Sequence, residues 1–68
     1  MPLSARNRLK GEITDVLLGT VTALITLKVG DSVVESVITK QAAEELKLKK
    51  GDRVTAVIKA TEVMIQKD

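Results

Sequence analysis

Between Val21 and Val29 the side chains alternate in character, with Val21, Ala23, Ile25, Leu27 and Val29 on one side of the chain and Thr22, Thr26 and Lys28 on the other. A period of two belongs to a strand that buries one face. Only Gly30-Asp31 separates this run from a second, Ser32 to Thr39, and two such residues between two such runs predict a tight hairpin with a primed turn. In the second run Val33 and Val37 share one face and Val34 and Ile38 the other, so one face is expected on the core and the other against a neighbouring subunit.

Upstream, Leu9, Gly11, Ile13 and Leu17 take alternate positions, but Asp15 breaks the apolar face while Val16 and Leu18 break the polar one. A bulge near Asp15 restores the register, Gly11 suits a close approach by another backbone, and Gly19-Thr20 reads as a turn. Downstream, Thr39 is placed to cap a helix from Lys40 to about Leu46, with Ala42, Ala43 and Leu46 on its inner face and Lys40, Glu44 and Lys47 outside. After a turn at Gly51, alternation resumes from Arg53 to Ala60 with Val54, Ala56 and Ile58 inward, and Val63-Met64-Ile65 reads as a short last strand. The expectation is one domain over residues 1–68, all-β: a small five-stranded Greek-key barrel of the oligonucleotide/oligosaccharide-binding (OB) type with one short helix after strand three.

A 68-residue chain buries only roughly 60% of the surface it exposes when unfolded, so its core needs a supplement. Cys and His are absent, which removes disulfides and a structural zinc site, and Phe, Trp and Tyr are absent too. Oligomerisation is the remaining supplement. With neither His nor Cys, and no Ser in a strand-turn-helix elbow, the residues do not suggest an enzyme. A net charge of +2 is small for a nucleic-acid binder, and single-strand binding draws much of its energy from stacking on aromatic side chains that this chain lacks. No apolar run approaches membrane-spanning length, and Met1-Pro2-Leu3-Ser4 lacks the apolar region of a signal peptide, so a cytoplasmic protein is expected.

Two stretches carry chemistry. Ser4-Ala5-Arg6-Asn7-Arg8-Leu9-Lys10-Gly11 packs a hydroxyl, two guanidiniums, an amide and an ammonium ahead of the first carboxylate, Glu12. Such donors suit a ligand that carries only acceptors, a fully deprotonated oxyanion, although the same cations would also serve as solvated charges guarding a strand edge. In Val57-Ile58-Lys59-Ala60-Thr61-Glu62-Val63-Met64, a bend at Ala60-Thr61 would turn backbone amides outward beside the Lys59 ammonium and the Thr61 hydroxyl. An edge lysine next to a loop threonine is the plainer reading of that spacing.

Together these stretches resemble the molbindins, or molybdenum-pterin-binding proteins, whose single domain is called Mop or TOBE. The first looks like the family's S-A-R-N-x-L-x-G signature and the second like its V-I-K-A-[ST]-E-V-M, while Gly19 to Ala23 and Thr39 to Leu48 are similar to the segments between. The resemblance implies cytoplasmic storage of molybdate, with tungstate as an analogue, in an OB-like barrel. It also implies a homohexamer, a trimer of dimers, holding the oxyanion at subunit interfaces. By similarity Ser4 and Arg6 of one chain and Lys59, Ala60 and Thr61 of a neighbour line the site with support from Asn7, and Gly19, Thr20, Val21 and Thr39 are additional candidates.

Molybdate is a tetrahedral dianion with an acceptor at every corner, so hydroxyls, amides and cations can all donate to it. A site of donors alone disfavours hydrogenphosphate, whose hydroxyl needs an acceptor, but rejects sulfate only through cavity size. The competing expectations are an OB-like nucleic-acid-binding module and a structural assembly module without a ligand.

Overall fold

The computed structural model describes residues 6–68. Strands β1 (Asn7–Leu18), β2 (Thr22–Val29), β3 (Ser32–Thr39) and β4 (Arg53–Ile58) form one antiparallel sheet in the order β3-β2-β1-β4. Helix α1 (Lys40–Glu45) lies between β3 and β4, and a 3-10 turn, Ala60–Glu62, follows β4. The all-β class and the helix after strand three agree with the alternation and the cap.

The β2–β3 hairpin is in register from Thr22 opposite Thr39 to Val29 opposite Ser32. Gly30 has φ of +58° and Asp31 does not enter positive φ, the pattern of a primed turn with glycine at its first central position. Thr39 caps α1 as expected, its Oγ1 accepting from the Ala42 amide at 3.0 Å.

β1 is shared between two partners. Asn7 to Glu12 pairs with β4 and Glu12 to Leu18 pairs with β2. The register slips between Ile13 and Asp15, so Thr14 is the extra residue of a bulge. Before the bulge Ile13 is buried; after it Val16 packs against the core while Leu17 is exposed. Ile13 also fastens the loop before β4, donating to the Asp52 carbonyl at 2.9 Å and accepting from the Gly51 amide at 2.8 Å. Within that loop the Asp52 carboxyl is held below its usual pKa by the Lys49 ammonium at 3.0 Å, helped by the Lys49 backbone amide.

Ile13, Ala23, Ile25, Leu27 and Ala43 form the buried core, ringed by Val16, Val29, Val34, Ile38, Leu48, Val54 and Ala56. Three of the five buried residues come from alternate positions of β2, as its period requires.

Four expectations are corrected. Val63-Met64-Ile65 is not a fifth strand: it follows the 3-10 turn without regular structure, with Met64 93% and Ile65 90% exposed. Its apolar side chains meet no strand edge of their own chain, so the sheet has four strands and stays open between β3 and β4. β4 stops at Ile58 rather than Ala60, because the chain there turns into the 3-10 bend. Val21 precedes β2 and is exposed. Leu46 is 67% exposed instead of lying on the buried face of α1. The helix ends at Glu45, and Lys47 at φ +53° swings the chain away, so Leu48 takes the inward position.

Gly11 sits where β1 changes partner. A Cβ there would lie 2.6 Å from the Lys28 carbonyl oxygen and 2.8 Å from the Val29 Cγ2. Because the first of these neighbours is backbone within the ladder, Gly11→Ala is expected to destabilise the fold by about 1–3 kcal/mol. Urea unfolding followed by far-UV circular dichroism measures this, and an unchanged midpoint would show that β1 and β2 can separate there without loss.

Candidate oxyanion site

The two donor-rich stretches lie 51 positions apart at Asn7 and Ile58, and the sheet sets them side by side. Asn7 to Glu12 runs antiparallel to Arg53 to Ile58, Asn7 standing opposite Ile58 and Gly11 opposite Val54. The Asn7 side-chain amide crosses that junction, its Nδ2 donating to the Ile58 carbonyl at 3.2 Å. Arg6 and Lys59 are each one residue beyond this last pair, so both cations leave the same end of the sheet, and both are exposed.

The expected bend after Lys59 is present. In the 3-10 turn the Glu62 amide donates to the Lys59 carbonyl at 2.9 Å and the Val63 amide to the Ala60 carbonyl at 3.4 Å. The amides of Ala60 and Thr61 precede the first of these bonds and stay outside the turn's own ladder. Lys59, Ala60 and Thr61 are all exposed. An ammonium, two amides and a hydroxyl therefore open to solvent within three residues, beside Arg6 and Asn7. Ser4 falls outside the described residues.

Gly19, Thr20, Val21 and Thr39 form a separate group. The Gly19 amide donates to the Thr22 carbonyl and the Lys40 amide to the Val21 carbonyl, both at 2.8 Å, and Thr22 stands opposite Thr39. This group is at the far end of β1, past Leu18, whereas Arg6, Asn7 and Lys59 are at its near end. The 12 residues of β1, with the bulge at Thr14, separate them. Within one chain the two groups do not meet.

What could not be read from the sequence is the relation between the groups. Spacing along the chain does not reveal which strand ends share an edge; the signal that did exist was Asn7, an amide in the middle of a basic stretch.

Residues 3–65 match the TOBE domain family, and the chain belongs to it. Molybdenum-pterin-binding protein 3 of Clostridium pasteurianum is 47% identical over 66 residues, which is 96% of this chain and 97% of that protein. Among solved structures, a molybdate-binding protein from Sporomusa ovata superposes with a TM-score of 0.94 at 36% identity, covering 98% of this chain and all of that one. The cytoplasmic molybdate-binding protein ModG, solved with molybdate bound, superposes with a TM-score of 0.82 at 43% identity, covering 88% of this chain and 43% of that chain.

Asn7→Ala removes the side-chain bond across the junction and leaves the Ile58 carbonyl one donor short. The expected cost is about 1 kcal/mol in urea unfolding, the usual net worth of one such bond. No effect would mean that the Arg6 and Lys59 ends are held together by the backbone ladder without help from this amide.

Proposed function

We propose that this chain binds molybdate, with tungstate as its analogue, and stores it in the cytoplasm. The observation that carries the reading is the antiparallel pairing of Asn7 with Ile58, which gathers Arg6 and the Lys59-Ala60-Thr61 donors at one end of each chain, so that where two such ends meet Arg6 of one chain can face the Lys59-Ala60-Thr61 donors of its neighbour. Its neighbourhood is the TOBE family, with structural relatives that bind molybdate and one, ModG, that is cytoplasmic. No helix among the described residues is long and apolar enough to cross a membrane. The chemistry is recognition, not catalysis: cations supply the charge that a dianion requires, and amides and hydroxyls supply directed bonds.

The protein works as an oligomer, a homohexamer built as a trimer of dimers. Two features of the fold support assembly. A groove of about 380 Å3 runs between the open edges of β3 and β4, lined by apolar residues such as Val34, Ile38, Val54 and Ile58. Each edge presents unpaired backbone groups to it. The apolar segment Val63-Met64-Ile65 is exposed in its own chain, and supplied by a second copy it would fill the groove as the missing fifth strand. On the outer face Leu17 stands opposite Leu24 and Leu24 opposite Val37, an apolar row whose two end residues are exposed. Further copies would cover that row.

Titration calorimetry with molybdate tests the site. Arg6→Ala and Lys59→Ala should each weaken binding by about 1.5–3 kcal/mol, the worth of one charged hydrogen bond, and Arg6→Lys should recover only part because it lacks the guanidinium fork. Wild-type affinity in either alanine variant removes that residue from the site; heat with a short oligonucleotide but none with molybdate favours a nucleic-acid module instead.

Static light scattering with refractive-index detection suits a chain without Trp or Tyr and tests the assembly. Oligomers are expected for the whole chain and their loss for a chain ending at Glu62. A stable monomer that still binds molybdate on dilution would refute the shared-site assembly.

A further inference from the structure

Away from both groups, the outer face of the sheet gathers charge at the point where β1 changes partner. Glu12 stands directly opposite Lys28 on β2 and Arg53 on β4, and Lys10 stands opposite Thr55. Lys10, Glu12, Lys28 and Arg53 are exposed and, with Gly11, Thr14 and Gly30, line a cleft of about 360 Å3. With neighbouring strands about 4.8 Å apart, the backbones bearing Lys28 and Arg53 stand roughly 10 Å apart with Glu12 between them. The one salt bridge among the described residues is Lys49 to Asp52, so none of these four charges is closed into an ion pair. Three cations around one carboxylate leave the cleft positive.

The single carboxylate decides which anion fits. A fully deprotonated tetrahedral oxyanion would set one of its oxygens against the Glu12 carboxylate, acceptor against acceptor. An oxyanion that keeps a proton can turn its hydroxyl to Glu12 and its remaining oxygens to the cations, satisfying both kinds of group. We propose that this cleft is a second anion site, selective for inorganic phosphate in its protonated forms, with Glu12 accepting from the P–OH and Lys10, Lys28 and Arg53 donating to the other oxygens. Its preference is the reverse of the one expected of the Arg6–Lys59 end, where no carboxylate stands among the donors.

The test uses the whole protein at neutral pH and low ionic strength, because exposed charges are screened by salt. Phosphate binding is read from broadening of the 31P resonance and sulfate binding from titration calorimetry. With the other site removed by Lys59→Ala, the protein should bind phosphate more tightly than sulfate. The double variant Lys28→Ala/Arg53→Ala, checked for folding by far-UV circular dichroism, should weaken phosphate binding about tenfold while molybdate binding is unchanged. Glu12→Gln removes the repulsion and should raise sulfate affinity to that of phosphate. The proposal fails if Lys59→Ala leaves the phosphate resonance unperturbed, if Lys59→Ala binds sulfate as well as phosphate, if the double variant binds phosphate undiminished, if Glu12→Gln added to Lys59→Ala leaves sulfate weak, or if a short oligonucleotide displaces phosphate from the cleft. Loss of molybdate binding in Lys59→Ala has no bearing on it, so the two sites stand or fall separately.

Discussion

The fold depends on one strand serving two partners at a point where there is no room for a side chain. β1 pairs with β4 through its first half and with β2 through its second, and the change falls at Gly11 and Glu12. The space a Cβ would take at position 11 belongs to the Lys28 carbonyl and the Val29 side chain. A glycine there lets β2 close down on β1, and the Thr14 bulge then turns Val16 rather than Leu17 toward the core. The sheet encloses a small aliphatic core without any aromatic residue to fill it.

The same strand carries the chemistry. Because β1 runs antiparallel to β4, its start and the end of β4 share one edge, and donors 53 positions apart in sequence, Arg6 and Lys59, leave from neighbouring backbones. The ladder between β1 and β4 holds the backbone up to Asn7 and Ile58, Arg6 and Lys59 stand one residue beyond that pair, and the Ala60 and Thr61 amides lie outside the bonds of the 3-10 turn that follows. A site built one residue beyond a strand combines a fixed base with free hydrogen-bonding groups.

What the sequence made legible was local. The β2–β3 hairpin follows from alternation and Gly30-Asp31, the helix start from the Thr39 hydroxyl, and the bulge from the failure of both faces of β1 at once. The bend after Lys59 was legible from its small and hydroxylated neighbours. Illegible features depend on atoms elsewhere. Val63-Met64-Ile65 has the composition of a strand, but pairing needs an edge, and within the chain nothing brings the edges of β3 and β4 to it. Leu46 has the spacing of a core residue, but the helix ends one position earlier and Leu48 fills the place. The cleft around Glu12 was hidden because Lys10, Lys28 and Arg53 come from three strands, and only the register reveals that two of them face the same carboxylate.

Register also separates two ways of choosing among tetrahedral anions. At the Arg6–Lys59 end the groups are cations, amides and hydroxyls, so a proton on the ligand finds few acceptors and the bare dianion is preferred. Around Glu12 a carboxylate stands among the cations, and a bare dianion meets repulsion that a protonated one avoids. Charge alone is alike in kind at the two places; the balance of donors and acceptors is what differs. Sulfate defines the limit of this logic, because it lacks a proton just as molybdate does. The count of acceptors can bar it from the Glu12 cleft but not from the Arg6–Lys59 end, where rejection has to come from the size of the enclosure. In a single chain Lys59, Ala60 and Thr61 are open to solvent and impose no size. Discrimination against sulfate therefore requires walls that one chain does not supply, and that ties the selectivity of the proposed molybdate site to the assembly.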